Sequence, residues 1–214
     1  MLILIIKIRR FLFELSAVLK GLWVKLIARI FYRDRMRIGK GLKIYGPLPL
    51  VHCSSGCQIT IGDHVVMRNN TKNNYIGILK PTSIVALDGA KIHIGSYVGL
   101  SGTSICAYRS IQIMDFATIG ANVFIVDSDF HSLDPSVREA DSRSGRHPDM
   151  LLVKSEAVII GKRAFIGLNS IILRGAKIGE GAVVGAGTLI AGSVPDCCIA
   201  MGPKYTLRDI EPRN

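Results

Sequence analysis

The stretch that decides the fold is residues 159–196, "IIGKRAFIGLNSIILRGAKIGEGAVVGAGTLIAGSVPD". An aliphatic residue recurs at every sixth position: Ile160, Ile166, Ile172, Ile178, Val184 and Ile190. The residue after each is mostly Gly or Ala, and the residue four positions on is again small. This period fits neither an α-helix nor a coiled coil. It predicts short strands that turn a corner every six residues, so that three sides close a triangular coil.

An earlier block follows the same pattern, and it extends the predicted coils towards the N-terminus. Its aliphatic or thiol positions are Ile94, Leu100 and Cys106, then, after one extra residue, Ile113, Ile119 and Ile125. Fainter copies begin at Ile38 and Ile61. Stacked coils place like residues above one another, and the thin prism they form has little room for rings, in keeping with an aromatic content of 7%. We therefore predict an all-β fold, a parallel β-helix of hexapeptide repeats.

Charge is concentrated at the N-terminus of this 214-residue chain. The formal net charge is +11, and residues 1–43 contain eleven of the 27 basic residues but only two of the 16 acidic ones. The remaining residues are close to neutral, so the basicity is not a property of the main domain. We therefore predict no nucleic-acid partner.

Residues 1–37 are apolar but interrupted by Lys and Arg, and we predict an amphipathic α-helical segment. The apolar runs between charges are too short to span a bilayer, and no small-residue cleavage site follows a clean apolar run. Basic residues among Leu, Ile, Phe and Trp23 favour a helix in the interface of an anionic membrane. The alternative is a helix packed on the protein's own body or on another subunit.

The five cysteines form no disulfide framework. His52, Cys53 and Cys57 lack a second ligand pair at zinc-finger spacing, and His93 and His131 lack a third histidine of the kind a γ-type carbonic anhydrase needs. We predict reduced thiols, a cytoplasmic location and no metal site.

The repeat breaks at residues 125–135, "IVDSDFHSLDP". His131 falls in the slot where the next aliphatic is due, and the chain then leaves the coil through a polar excursion spanning residues 128–157. Histidine titrates near neutral pH, so it can act as the base that an acyl transfer to a hydroxyl requires. Asp127 and Asp129 are close enough in sequence to orient its ring, and the sequence leaves open which of them does so.

The chain resembles bacterial hexapeptide-repeat acyltransferases, of the branch with maltose, galactoside and polysaccharide O-acetyltransferases. The resemblance covers about residues 38–210 and is carried by the repeats and by the Asp-x-Asp-x-His element at residues 127–131. It implies a left-handed coil, a homotrimer and acetyl-CoA bound between neighbouring prisms. It also implies that His131 is the catalytic base. The predicted domains are the N-terminal segment 1–37, the β-helix 38–200 and a C-terminal tail 201–214.

The resemblance also supplies candidate cofactor contacts in the last coils and the tail. Small or permissive residues would line the pantetheine arm, Phe165 would form an apolar wall beside the thioester, and basic residues near the C-terminus would bind phosphates. The candidates are Phe165, Leu168, Ala186, Ala191, Gly192, Lys204 and Arg208. The closing "MGPKYTLRDI" departs from the family's G-x-P-A-K/R-x-I-R element, because Tyr205 occupies the usual basic place.

Acceptor contacts are predicted in a second interruption, residues 67–82, "MRNNTKNNYIGILKPT". Amides and a ring suit sugar hydroxyls and sugar faces, so Asn74 and Tyr75 are candidates, together with Asp115. The region that aligns with the Asn-rich element of maltose and galactoside transferases has no Asn here, which argues against those free sugars as acceptors.

These observations predict an acetyl-CoA-dependent O-acetyltransferase that modifies a sugar hydroxyl of a bacterial glycan or glycolipid precursor. The enzyme is expected to be peripheral at the inner face of the cell membrane, close to lipid-linked acceptors. N-acetylation of an amino sugar and transfer to serine use the same base and remain alternatives. A non-catalytic β-helix scaffold at the membrane is the alternative from another class.

Overall fold

The computed structural model describes residues 2–72, 74–145 and 153–202. A long helix, α1 (Leu2–Phe31), precedes a run of short strands, and a second helix, α2 (Pro135–Ser144), interrupts it. The strands are β1 (Met36–Ile38), β2 (Lys43–Tyr45), β3 (Leu50–Cys53), β4 (Gln58–Ile61), β5 (Val66–Arg68), β6 (Ser83–Ala86), β7 (Lys91–Ile94), β8 (Gly99–Ser101), β9 (Ser104–Ala107), β10 (Ser110–Ile113), β11 (Thr118–Ala121), β12 (Phe124–Val126), β13 (Val158–Ile160), β14 (Phe165–Ile166), β15 (Ile171–Ile172), β16 (Lys177–Ile178), β17 (Val183–Val184), β18 (Leu189–Ile190), β19 (Ser193–Val194) and β20 (Ile199–Ala200).

Every third strand joins the same parallel sheet, so the strands form three sheets around a prism. Sheet A has the order β1-β4-β7-β10-β13-β16-β19, sheet B the order β2-β5-β8-β11-β14-β17-β20, and sheet C the order β3-β6-β9-β12-β15-β18. The chain thus passes repeatedly from A to B to C and back to A, turning a corner between sheets. The predicted left-handed parallel β-helix is confirmed.

Inward-facing aliphatic side chains stack from coil to coil and form the core. In sheet A the parallel register aligns Ile59 with Ile92, Ile92 with Ile111, and Ile111 with Val158, all of them buried. Each inward residue therefore packs against its counterparts one coil above and below. Narrow, uniform spaces of this kind favour branched aliphatic side chains, which explains the hexapeptide pattern in the sequence.

Helix α1 packs against the first coil through a face of small residues. Ala17, Gly21 and Ala28 are buried there at spacings of four and seven residues. A Cβ at Gly21 would collide with the backbone oxygen of Leu42, so glycine allows the helix to approach the coil closely. Part of α1 therefore packs on the protein's own body, the alternative considered from the sequence.

Polar contacts also attach α1 to the first coil. The Glu14 carboxylate accepts hydrogen bonds from Lys43 Nζ at 3.1 Å and from Tyr45 Oη at 2.8 Å. Lys20 and Lys25 donate to the backbone oxygens of Gly46 and Gly39. Two of the basic residues that the sequence assigned to a lipid surface therefore bind the protein's own carbonyl groups.

The opposite side of α1 is apolar and exposed. We call it the outer face of α1: Ile8, Leu12, Leu15, Leu19, Leu22, Leu26 and Ile30. These side chains recur every three or four residues and so form one continuous stripe. Across residues 2–72, 74–145 and 153–202, neither helix combines the length and the hydropathy that crossing a membrane requires.

The excursion between β12 and β13 contains a helix that the sequence interpretation missed. Asp134 caps α2 by accepting a hydrogen bond from Ser136 N at 2.9 Å, Pro135 begins the helix, and Gly145 ends it in a left-handed conformation. Asp-Pro at a helix start and Gly just past its end are standard helix signals. None of the residues in α2 is buried.

The strands of the coil set its limits along the chain. The first coil begins with β1 at Met36, two residues before the predicted start at residue 38, and the last strand ends at Ala200. The chain leaves the coil after β12 and returns to it at Val158.

Candidate active site

His131 lies at the beginning of the excursion that leaves the corner between sheets C and A. Its side chain is exposed, and within the described residues it makes no hydrogen bond, ion pair or ring contact. The ring is therefore accessible from solvent in the single chain, at the place where the repeat predicted an inward aliphatic.

Asp127 is fully buried and ties the root of the excursion to the preceding coil. Its Oδ1 accepts a hydrogen bond from Tyr108 N at 2.7 Å, and its Oδ2 accepts from the backbone N–H groups of Arg109 and Ser110 at 2.8 and 2.7 Å. Burial raises the pKa of the Asp127 carboxyl, and the backbone donors offset part of that rise. Both carboxylate oxygens thus have backbone partners, and no hydrogen bond joins them to His131.

Asp129 ties the same root to the following coil. Its Oδ1 accepts a hydrogen bond from Arg174 Nε at 2.6 Å, in an ion pair that is largely shielded from solvent. Its Oδ2 is buried and has no hydrogen-bond partner among the described residues. A buried carboxylate oxygen without a partner is costly unless another donor approaches it, so Asp129 retains the capacity to hold a further group.

Arg174 was not singled out from the sequence. It stands at the corner between β15 and β16, where the hexapeptide pattern puts no constraint on residue type, and it also lies 4.0 Å from Glu156. Its charge could have indicated this contact from the sequence, because a basic residue at this corner complements the acidic residues Asp127 and Asp129 one coil earlier.

The predicted cofactor residues fall on two corners that flank sheet C. Leu168 and Ala186 stack at the corner between sheets B and C, where Gly187 N donates to Leu168 O at 2.8 Å, and Phe165 is exposed on sheet B nearby. Ala191 and Gly192 are exposed at the corner between C and A, one coil beyond Arg174. The two groups lie on opposite edges of one sheet, so a single chain does not bring them together. Lys204 and Arg208 lie outside the described residues.

The predicted acceptor residues are also dispersed. Tyr75 is 97% exposed, and Asn74 precedes it in an excursion that leaves the corner between sheets B and C. The Asn122 side chain attaches this excursion to the corner: it accepts a hydrogen bond from Leu79 N and donates one to Gly77 O. Asp115 lies at the corner between A and B, and its Oδ1 accepts from Ser96 N at 2.7 Å. Within one chain none of these residues lies at the corner that carries His131.

Comparison with known proteins supports the family suggested by the repeats. A family model described as the hexapeptide repeat of succinyl-transferase matches residues 157–191. A putative lipopolysaccharide biosynthesis O-acetyl transferase of Escherichia coli is 36% identical over 98 residues, 46% of this chain and 49% of that protein. A probable acetyltransferase of Mycobacterium tuberculosis is 29% identical over 173 residues, 81% of this chain and 49% of that protein. The chain thus spans about half the length of these curated relatives.

Solved structures agree on the fold. AntD, an N-acyltransferase from Bacillus cereus whose crystal structure contains dTDP and 3-hydroxybutyryl-CoA, superimposes with a TM-score of 0.55 at 24% identity, over 78% of each chain. The three parallel sheets and the family match over residues 157–191 agree that the chain forms coils of hexapeptide repeats. Both curated relatives described above are named as acetyltransferases, so the resemblance to bacterial hexapeptide-repeat acyltransferases is confirmed.

Proposed function

We propose that the chain is an acetyl-CoA-dependent acyltransferase that acetylates a sugar hydroxyl of a bacterial glycan or glycolipid precursor. The observation that carries the proposal is the geometry around His131. His131 has an accessible ring and lies where the chain leaves the regular coil, shortly after two aspartates. Asp127 is bonded to the preceding coil and Asp129 to the following one.

His131 acts as the general base. One ring nitrogen removes the proton from the acceptor hydroxyl as its oxygen bonds to the acetyl carbonyl carbon, and the same nitrogen returns the proton to the departing thiolate of CoA. Asp129 holds the other ring nitrogen, because its buried Oδ2 has no partner in the described part of the chain. Both oxygens of Asp127 already accept backbone hydrogen bonds. Asp127 then maintains the shape of the corner rather than contacting the base.

Acetyl-CoA binds between neighbouring chains of a homotrimer. The predicted contacts of acetyl-CoA lie at the two corners that flank sheet C, on opposite edges of that sheet. One ligand can touch both sets only if the corner between B and C of one chain faces the corner between C and A of a neighbouring chain. Ala186, Ala191 and Gly192 are exposed and carry at most a methyl group, which leaves their backbone open to an extended pantetheine arm. Asn74 and Tyr75 are the proposed acceptor contacts, reaching His131 of a neighbouring chain, and Asp115 is a further candidate.

A hydroxyl acceptor is supported by the relative named as an O-acetyl transferase, which is similar over about half of this chain. Transfer to an amine is the second candidate, favoured by the fold shared with AntD, an N-acyltransferase. Side-by-side assays with hydroxyl and amino sugars, and with serine, distinguish these reactions.

Peripheral contact with the cytoplasmic face of the membrane forms the second part of the proposal. The outer face of α1 is exposed and apolar, and by helical periodicity the exposed Arg9 and Arg29 lie at its two edges. Apolar side chains bordered by cations are suited to the interface of an anionic bilayer, where lipid-linked glycan precursors are found.

The deciding experiment is acetyl transfer by the His131→Ala variant. Full-length wild-type and variant proteins are incubated with labelled acetyl-CoA and a mixture of bacterial glycan precursors, and their oligomeric state and circular dichroism are compared. We expect loss of transfer with fold and assembly intact. Turnover that persists in the variant would rule out the proposed base, and absence of transfer and of CoA binding in the wild type would favour a scaffold.

A further inference from the structure

A basic groove lies on the sheet A side of the corner that carries His131. It has a volume of about 600 Å³ and is lined by Arg109, Lys154, Ser155, Glu156, Ala157, Ile159, Arg174 and Lys177. We call it the basic groove. Its size falls within the range of small-molecule sites in proteins.

The cations of the basic groove outnumber its acids. Arg174 is paired with Asp129 and approaches Glu156, the only acidic residue among the described residues of the lining. Arg109, Lys154 and Lys177 have no carboxylate within ion-pair distance in the described part of the chain. Three unpaired cations around a concave surface produce a positive potential that favours an anionic ligand.

The groove shares a wall with the segment that leads to His131. Residues 127–129 run antiparallel to residues 154–156: Asp129 N donates to Lys154 O at 3.1 Å and Glu156 N donates to Asp127 O at 2.8 Å. His131 follows two residues after Asp129. A ligand seated in the groove is thus adjacent to the root of the segment that carries the proposed base.

We propose that the basic groove binds the phosphate or diphosphate of a phosphorylated glycosyl acceptor. This inference rests on the proposed function and specifies its substrate class: a sugar attached to a nucleoside diphosphate or to a lipid diphosphate. Arg and Lys side chains are the usual ligands of phosphate oxygens. An acceptor anchored there by its phosphate extends its sugar towards His131.

Acetyl-CoA is the other phosphate-bearing ligand to consider. Its predicted contacts Phe165, Leu168 and Ala186 lie on sheet B and at the corner between B and C, away from the groove. Ala191 and Gly192 lie at the corner between C and A, one coil beyond Arg174. The wall that the groove shares with residues 127–129 favours the acceptor, and the two sources are separated experimentally.

The test measures binding of inorganic pyrophosphate, and separately of acetyl-CoA, to the full chain by isothermal titration calorimetry. The test variant is Arg109→Gln/Lys154→Gln/Lys177→Gln, which leaves Arg174 in place. Lys162→Gln is the control, because Lys162 is an exposed lysine at the corner between sheets A and B. Loss of several charge-assisted hydrogen bonds is expected to weaken pyrophosphate binding by about tenfold or more.

The proposal predicts that the control retains pyrophosphate affinity and that the triple variant retains acetyl-CoA affinity. Unchanged pyrophosphate binding in the triple variant overturns it, as does an equal loss of acetyl-CoA binding, which would assign the groove to CoA. Competition by a nucleoside diphosphate, or by a short-chain prenyl diphosphate in its place, separates the two acceptor sources. His131→Ala is expected to bind pyrophosphate normally, so failure of the catalytic proposal and failure of the groove proposal give different results.

Discussion

Arg174 Nε donates a 2.6 Å hydrogen bond to Asp129 Oδ1 across 45 residues of sequence. The bond joins the excursion that carries His131 to the next complete coil of the prism. Asp127 makes the equivalent connection to the preceding coil through the backbone of residues 108–110. The root of the excursion is thus held from both sides, which restricts the positions open to the ring of His131.

Replacing Arg174 is expected to lower kcat without weakening acetyl-CoA binding. In Arg174→Met, Asp129 loses its partner, and a small displacement of a catalytic group lowers rates by about ten- to a hundredfold. We expect that decrease in kcat, with KM for acetyl-CoA unchanged and partial recovery in Arg174→Lys. Steady-state kinetics measure it.

Arg143→Ala is the matched control, because Arg143 forms an exposed ion pair with Glu139 within the same excursion. Exposed pairs of this kind contribute little to stability. If Arg174→Met and Arg143→Ala had equal activity, Arg174 would have no positioning role.

Asp127 and Asp129 are expected to differ in what their loss affects. Asp127→Ala leaves three backbone N–H groups at a buried corner without their acceptor, a cost of about 3 kcal/mol in unfolding free energy. Asp129→Asn keeps the shape of the side chain but removes the charge that would hold the imidazolium, so kcat falls while stability changes little. Chemical denaturation and kinetics on both variants check this contrast.

The opposite pattern would reverse the assignment. A stable, slow Asp127→Ala protein beside a fully active Asp129→Asn protein would show that Asp127 supports the base.

The repeat was predictable from sequence because its cause is local and periodic. Each aliphatic at a spacing of six meets its counterpart one coil away, so Ile160, Ile166 and Ile172 reveal their sheets through spacing alone. Helix α2 was also encoded locally, by Asp134, Pro135 and Gly145, but its polar composition led to an interpretation as loop.

The site was only partly predictable because corner residues carry no periodic constraint. His131 was visible as an exception in an aliphatic slot, whereas Arg174 and Lys177 occupy outward positions that accept any polar residue. The distances of Arg174 and Lys177 from Asp129 and Lys154 depend on how many residues each excursion inserts between coils. Sequence spacing alone does not give those distances. The proposed choice of Asp129 over Asp127 likewise rests on which carboxylate oxygens already accept backbone hydrogen bonds.

Charge on the outer face of α1 is expected to abolish membrane contact. Leu19→Glu/Leu26→Glu places two carboxylates in the apolar stripe, where anionic lipid repels them and burial is costly. We expect the wild type to sediment with vesicles of phosphatidylglycerol and phosphatidylethanolamine, and the variant to stay in the supernatant.

Leu79→Glu is the control for this experiment, because Leu79 is an exposed leucine that does not belong to the outer face of α1. Wild-type protein that ignores the vesicles would argue against membrane contact. A variant that loses oligomers while neither protein binds lipid would instead indicate that the outer face of α1 contacts a second copy.

Docking of α1 on the first coil is expected to weaken in acid. Hydrogen bonds from Tyr45 and Lys43 lower the pKa of the Glu14 carboxyl in the folded protein. The contribution of these contacts is therefore complete above the ordinary pKa of a glutamate, about 4.3, and is lost as the pH falls through the lowered folded-state value. Hydrogen exchange is measured on samples incubated at a series of pH values from neutral to acidic. The protection of the α1 amides should decrease in that acidic range, whereas the strand amides should stay protected.

Glu14→Gln isolates the ionisation from the packing of the helix. Glutamine keeps an acceptor for Tyr45 but has no charge to lose, so α1 protection in this variant should be lower than wild type at neutral pH and almost independent of pH through the acidic range. The small-residue contact of Ala17, Gly21 and Ala28 is unchanged in the variant, which keeps the helix on the coil. Identical pH profiles for the two proteins would mean that packing against Leu42, rather than the Glu14 contacts, determines how firmly α1 is attached.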